Sequence, residues 1–348
     1  MWTERSMHTD SAYCKYIRCV ILLILSITIL CSCGRKREPL TRSALFFDTI
    51  IQITIYDSDL ALSDKERLID DCFALCAHYE NTLSATVPES DIWNINHSTN
   101  PVPVEDDTLF LIERAIFYSE LSHGLIDPTV YTAGILWDFT SEDPALPSKQ
   151  ALAEAVSHVD YHAIRIEKSS LPDQSTVQLA DPKACMNLGF IAKGFVADQL
   201  GTLLRKAGVQ SALINLGGNL LAIGSKPDGS DYLLGIQAPF SDTGEAITAI
   251  PCHDSSLVTS GNYERFFRLN GIVYHHILDS ATGYPVQNDL NSVTILSSSS
   301  MQGDALSTLC YILGPDAGLA LIESTEGVEA LFIKQDNSVI RSSGFPCE

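Results

Sequence analysis

The sequence predicts a single α+β domain of mixed, largely antiparallel sheets packed with helices. Three observations predict it. Branched apolar runs of strand length recur along the chain, helical periodicities separate them without strict β–α–β alternation, and neither a repeat nor a mid-chain linker divides the sequence. At 348 residues, 45% of them hydrophobic, the chain can build one large core or two medium ones. The missing linker favours one.

The N-terminus reads as a targeting segment. Lys15 and Arg18 precede the apolar run "CVILLILSITIL" (19–30), too short for a comfortable membrane span but suited to a signal h-region. The following "LCSC" (30–33) resembles a bacterial lipobox, with Cys33 as the lipidated first residue of the mature protein. An uncleaved anchor with incidental cysteines is the alternative. The expected organisation is therefore a signal peptide at 1–32, a lipid-anchored tether at 33–43 containing the basic "GRKREP", and a folded domain at 44–348. This makes the protein a membrane lipoprotein facing the periplasm or the cell exterior, most simply on the inner membrane.

The folded elements follow in order. "LFFDTIIQITIYD" (45–57) reads as one strand rich in branched residues. Ser63 and Glu66 form a capping box ahead of Leu68, Ile69, Cys72, Phe73, Cys76 and Tyr79 at helical spacing. Helices are expected at about 107–122, stopped by Gly124, at 147–158, and at 190–207, ended by "KAG" at Gly208. Strands follow at 212–216, 231–237, 265–269, 272–278 and 292–296, then a helix at 301–313 and a last strand near 329–334.

Composition narrows the function. A formal net charge of −21 repels phosphates and argues against nucleic-acid binding. Of ten cysteines, Cys14, Cys19 and Cys31 leave with the signal and Cys33 takes lipid, so Cys72, Cys76, Cys185, Cys252, Cys310 and Cys347 remain. None forms a CxxC pair, which weakens zinc-knuckle and thioredoxin readings. Cys72 and Cys76, four apart on a helix, read as core residues.

Four stretches are too polar or too glycine-rich for ordinary framework. "SHGLIDPTVYTAGILWDF" (122–139) sets Asp127 and Thr129 around a proline. "NLGFIAKGFVADQL" (187–200) puts Lys193 and Gly194 in the first turn of a helix, where backbone N–H groups and an ammonium can meet phosphate, although the P-loop spacing is missing. "INLGGNLLAIG" (214–224) ends a strand on Gly217 and Gly218, which admit close approach of a ligand or make a tight hairpin. "VTSGNYERFF" (258–267) with "YHHILDSATGYPV" (274–286) gathers His275, His276, Asp279, Thr282 and Gly283. The two histidines point to opposite faces of a strand, so at most one shares a pocket with Asp279.

A fifth stretch, "GDALSTLCYIL" (303–313), reads as a buried helix, yet Asp304, Ser307 and Thr308 share one stripe of it. Burying a carboxylate costs several kcal/mol unless something compensates it. Asp304 and Thr308, one turn apart, supply two hard oxygens of the kind Mg²⁺ accepts beside phosphate. Capping of its own helix, or a buried arginine, would account for the aspartate equally well.

Taken in order, eight segments resemble the FAD:protein FMN transferase family, the ApbE-like lipoproteins: "FDT" (47–49), "SATVPESDIWNIN" (84–96), "IDPTV", "NLGFIAKGF", "INLGGN", "TSGNY", "HHILDSATGYPV" and "GDALST". They span nearly all of the mature chain. The resemblance implies Mg²⁺-dependent transfer of FMN from FAD to a threonine or serine hydroxyl of an acceptor protein, with release of AMP. It implies Asp304, Thr308 and the main-chain carbonyl of Phe190 as metal ligands. It places FAD contacts at Phe47, Asp127, Thr129, Asn187, Lys193 and His276, with Gly217 and Gly218 lining the nucleotide. His276 or Asp279 would accept the proton of the attacking hydroxyl, and the acceptor would be a flavoprotein such as a membrane respiratory subunit. Two departures stand out: "FDT" replaces the usual "MGT", and Asn187 stands where the family usually has Asp. FAD pyrophosphatase activity, and flavin storage without chemistry, are the rival functions.

Overall fold

In the computed structural model, which describes residues 38–57, 59–139, 141, 143–241 and 245–346, the apolar run at 45–57 is a hairpin rather than one strand. Strands β1 (Leu40–Phe46) and β2 (Thr49–Ile55) pair antiparallel, with Leu40 opposite Ile55 and Phe46 opposite Thr49. The reversal falls on Phe47 and Asp48, both at positive φ (53° and 57°), giving a two-residue turn whose twist suits the flanking strands. A phenylalanine rarely adopts that conformation, so hydrophobic patterning alone runs the strand straight through it. The hairpin also moves the boundary of the domain. Residues 40–43, expected as tether, belong to β1, and the compact unit begins at Pro39. The signal peptide, Cys33 and Cys347 lie outside the described residues.

Helix α1 (Leu62–Leu83) starts before the expected capping box. Ala61 is its N-cap and no side chain caps it, so Ser63 and Glu66 fall within the helix instead of opening it. Its apolar stripe is as expected: Leu68, Ile69, Cys72, Cys76 and Tyr79 are buried. Then come α2 (Asp91–His97), β3 (Val102–Val104), α3 (Asp106–Leu121), the short α4 (Tyr131–Gly134), α5 (Lys149–Val156), β4 (Ile164–Glu167) and β5 (Ser175–Leu179). Next are α6 (Ala192–Lys206), β6 (Ala212–Leu216), β7 (Asn219–Ile223), β8 (Tyr232–Gln237), β9 (Ala246–Cys252), β10 (Ser256–Gly261), β11 (Phe266–Leu269) and β12 (Ile272–His275). The chain closes with β13 (Leu290–Ser297), α7 (Ser300–Leu313), α8 (Pro315–Glu323), β14 (Val328–Lys334) and β15 (Val339–Arg341).

Eight strands form the main sheet in the order β1-β2-β6-β7-β10-β13-β14-β15, antiparallel throughout. The expected fold class holds. Alternate residues of the inner strands feed two cores. Ile214, Val293, Ile295, Ala330 and Phe332 belong to the larger core with α1, α6 and α7. Leu257, Leu331 and Ile333 pack with Tyr232, Leu234, Ile236 and Ile250 of the β8–β9 hairpin. A small satellite core joins Trp137, Leu152, Phe267 and Leu278, and the Trp137 indole N–H donates to Gly283 O at 2.9 Å. It fixes the "SATGYP" turn against the "DPTV" segment. Among the described residues no helix is long and apolar enough to cross a membrane, and Cys72, Cys76, Cys252 and Cys310 are buried free thiols.

Candidate active site

The site begins where α6 begins. Ile191, the N-cap of α6, offers no side-chain acceptor, so the first-turn N–H groups need partners from elsewhere. One comes from α7: Gly194 N–H donates to Asp304 Oδ2 at 2.8 Å. Gly194 is the third residue of the helix, so its N–H has no partner within the helix and Asp304 supplies one. Asp304 is only 4% exposed. Burial pushes its carboxyl above the usual range, nearby Asp198 adds to the effect, and the Lys193 charge and the Gly194 N–H oppose it. The aspartate does not cap its own helix. Ser299 Oγ accepts from Gln302 N–H, and Asp198 of α6 accepts from the N–H groups of Ser300 and Met301 at 2.8 and 3.0 Å.

Thr308 lies one turn beyond Asp304. Its Oγ1 is 3.1 Å from Ser260 Oγ, which in turn is 2.7 Å from Ser307 Oγ. Ser307 Oγ donates to Asp304 O at 2.9 Å, back along its own helix. Half-buried Lys193 lies close enough for its charge to act on Asp304, Glu264 and His276.

Glu264 and His276 are solvent-exposed yet surrounded by protein. That crowding pushes the Glu264 carboxyl up to about 7, with Lys193 pulling it down and Asp304 pushing it further up. The same crowding, with Lys193, His275 and Arg265 adding, holds His276 down at about 3, so its imidazole is neutral at pH 7. Gly217 and Gly218 turn between β6 and β7 at φ 59° and 92°. A Cβ on Gly217 would lie 2.8 Å from Thr49 Cγ2, and one on Gly218 3.5 Å from Glu264 Oε1. The β1–β2 turn closes the same rim: Phe47 N–H donates to Glu80 Oε1 at 2.7 Å, and Arg265 Nη2 donates to Phe47 O at 3.4 Å.

Several expected site residues also hold the local backbone in place. Asp127 accepts from Thr129 N–H and Oγ1 at 2.7 and 2.6 Å and from Tyr161 N–H at 2.9 Å, while Thr129 Oγ1 accepts from Asp160 N–H. Both residues are buried, and Asp127 edges a cavity of about 250 Å³ with Tyr161, His162 and Ser280. Asn187 Oδ1 accepts from Gly189 N–H at 2.6 Å, a turn that a carboxylate would make as well, and its N–H donates to Pro128 O. Asp279 Oδ1 accepts from the N–H groups of Ala281 and Thr282 at 2.8 and 2.9 Å, fixing the turn after β12. β12 itself ends at His275, short of the expected 278, because its partner β11 begins at Phe266, opposite His275. The residues that sequence reasoning misses are Asp198, Glu264 and Arg265. Asp198 stands four after Gly194, hence on the same helical face, and that spacing is the available clue.

The two histidines divide as strand alternation requires. His275 is 2% exposed, its Nε2 is 3.0 Å from Val286 O and its Nδ1 accepts from Ile277 N–H at 3.3 Å. The tautomer is therefore set: Nε2–H donates to the carbonyl, and Nδ1 carries the lone pair. Tyr311 of α7 approaches the ring edge-on, and burial holds the histidine down at about 4. In the unfolded chain it titrates near 6.5. Stability from this group is complete above that value and is lost as pH falls towards the folded value. The wild type should therefore lose about 2 kcal/mol more than His275→Gln between pH 7 and pH 5. Equal losses in urea titrations of the two proteins would remove His275 as the cause.

These donors suit a hard cation. They comprise a buried carboxylate, a hydroxyl and a carbonyl next to a helix N-terminus. Among the described residues no group of three His, Cys, Asp or Glu side chains could hold a metal alone, so this set needs oxygens from a ligand to complete a shell.

The chain is similar to known proteins in sequence and in fold. Residues 47–332 match the pattern described as the ApbE family. The FAD:protein FMN transferase of Treponema pallidum is 35% identical, covering 95% of this chain and 94% of that protein. A protein of the same name from Klebsiella pneumoniae is 31% identical over 86% and 91% of the two chains. Among solved structures, the ApbE protein of Thermotoga maritima superposes with a TM-score of 0.79 at 26% identity, covering 89% of this chain and all of that one. The flavin transferase ApbE of Vibrio cholerae gives 0.77 at 26% identity, covering 88% and 98%. Matched over most of its length in sequence and in fold, the chain belongs to the ApbE family.

Proposed function

We infer that the protein transfers the FMN half of FAD to a threonine or serine hydroxyl of an acceptor protein and releases AMP, with Mg²⁺ at the site. One observation carries this reading. Asp304 on α7, one turn before Thr308, accepts from Gly194 N–H in the first turn of α6, next to Lys193, the place where a pyrophosphate and its metal gain most. Asp304, Thr308 and the Phe190 carbonyl would hold Mg²⁺, which when bound offsets charge on the pyrophosphate and on the departing AMP. Lys193 adds a second positive charge. The acceptor oxygen attacks the phosphorus of the FMN half, the bond from that phosphorus to the bridging oxygen breaks, and the electron pair leaves with AMP.

The hydroxyl proton goes to His276, whose neutral imidazole carries a lone pair. A bound pyrophosphate, being anionic, raises its basicity. Asp279 is less available, because its Oδ1 already holds a turn. Gly217, Gly218 and Phe47 line the nucleotide, and Asp127, Thr129 and Asn187 shape the loops around it.

Incubation with FAD and Mg²⁺, with and without an acceptor flavoprotein, tests the reading. The expected result is flavin fluorescence that survives denaturing electrophoresis on the acceptor, matched by equimolar AMP. AMP and free FMN alone, even with acceptor present, would make the protein a pyrophosphatase. No AMP at all would make it a flavin store. The location belongs to the same reading: Cys33 carries the lipid, a membrane respiratory subunit is the acceptor, and Cys33→Ala should move the protein out of the membrane fraction.

A further inference from the structure

The donors assigned to the cation come from two helices. Asp304 and Thr308 ride on α7, whereas the Phe190 carbonyl and Lys193 belong to the start of α6. Their spacing is therefore set by whatever fixes α7 against α6. Two contacts do so, and they lie one helical turn apart on each helix. At one end Gly194 N–H meets Asp304 Oδ2 at 2.8 Å. At the other end the Asp198 carboxylate accepts three hydrogen bonds from the first turn of α7: Ser300 N–H to Oδ1 at 2.8 Å, Met301 N–H to Oδ2 at 3.0 Å, and Ser299 Oγ to Oδ2 at 2.8 Å. Residues 194 and 198 share a face of α6, as 300 and 304 share a face of α7.

We propose that Asp198 is a positioning residue for the metal centre, clamping the N-terminus of α7 onto α6 so that Asp304 and Thr308 stand at the right distance from Phe190 and Lys193. The carboxylate is suited to the task. It satisfies two N–H groups that the helix itself leaves unpaired, at the end of α7 where negative charge is stabilised. Glycine at 194 belongs to the same device, since a Cβ there would lie 2.7 Å from Met301 Cα. On the opposite side Ser300 Oγ donates to buried Asn219 Oδ1 and receives a bond from Ser256 Oγ at 2.9 Å. The first turn of α7 is thus held from the sheet and from α6 together. Without Asp198 the sheet contact remains and the helix persists, but its offset from α6 is no longer defined.

This inference rests on Asp304 as a metal ligand, and the test separates the two. Mn²⁺ binding to the full chain is titrated by electron paramagnetic resonance in the presence of ADP, which supplies an adenosine diphosphate with no bond to flavin. The Mg²⁺ concentration for half-maximal AMP release from FAD is measured alongside. Asp198→Asn keeps the shape but replaces one acceptor with a donor that faces N–H groups. It should weaken Mn²⁺ binding about tenfold and raise the Mg²⁺ half-saturation by a similar factor, with kcat at saturating Mg²⁺ within about threefold of wild type, as about 1.4 kcal/mol of ligand misplacement would give. A lower melting temperature with unchanged metal affinity would overturn the proposal and leave Asp198 a plain helix cap. No Mn²⁺ binding by the wild type would overturn the metal assignment instead. Should Asp198→Asn fail to fold, Ser299→Ala removes one of the three bonds, together with the Gln302 cap, and keeps the charge. It should weaken Mn²⁺ binding two- to threefold, and wild-type affinity would count against the clamp.

Discussion

Asp304→Ala should lose metal-dependent release of AMP from FAD, by at least about a hundredfold at limiting Mg²⁺, while the protein stays folded. A hundredfold corresponds to about 2.7 kcal/mol of transition-state stabilisation, which is modest for the only carboxylate among the donors assigned to the cation. Stability is a balance of opposing terms. The substitution strands the Gly194 N–H that now donates to Asp304 at 2.8 Å, at a cost of about 1–3 kcal/mol. Against this, it removes a buried charge and installs a better helix former. The two sides are of similar size, so the melting temperature should move by only a few degrees. Asp304→Asn separates charge from hydrogen bonding, because its amide oxygen can still accept from Gly194 but binds Mg²⁺ poorly. Full turnover in the Asn variant would reduce Asp304 to a structural link between helices. Early melting of the Ala variant with near-normal turnover would do the same.

Much of this site is legible in the sequence, for a physical reason. A carboxylate on a helix with no wet face, such as Asp304, contradicts its surroundings unless something compensates it, and the contradiction is visible without coordinates. The alternation that sends His275 inward and His276 outward is equally local, a consequence of the strand period of two. What sequence does not show are contacts between elements. The three bonds of Asp198 all go to residues about a hundred positions away. Asp127 and Asp279 look like site residues because polar groups beside proline and glycine mark both ligand sites and turns. In the fold both also hold turns, through Thr129 and Tyr161 in one case and Ala281 and Thr282 in the other. The β1–β2 hairpin is hidden because a Phe-Asp pair carries none of the glycine or asparagine that usually announces such a turn.

The clearest test of the α6–α7 contact is a single methyl group. Gly194→Ala improves helix propensity by about 1 kcal/mol, so on local grounds it should stabilise α6. The packing says otherwise. The new Cβ would collide with Ser300 O and lie 2.7 Å from both Met301 Cα and Ser300 C. All three are backbone atoms, so no rotamer change relieves the overlap, and the first turn of α7 is already tied down by Asp198 and Asn219. Overpacking of this kind costs about 1–3 kcal/mol, more when the neighbour cannot yield. The net expectation is a loss of about 2 kcal/mol, read as a melting temperature lower by about 3 °C for a domain of this size. Turnover should drop more than tenfold at fixed Mg²⁺, because any relief moves Asp304 away from α6. Gly208→Ala supplies the control. Gly208 follows the same helix at φ 85°, and a methyl added there would meet nothing within 4 Å, so its cost is backbone strain alone. That variant should lose stability and keep its turnover. A Gly194→Ala protein as stable and as active as wild type would mean that the two helices are not in the close contact on which the site depends.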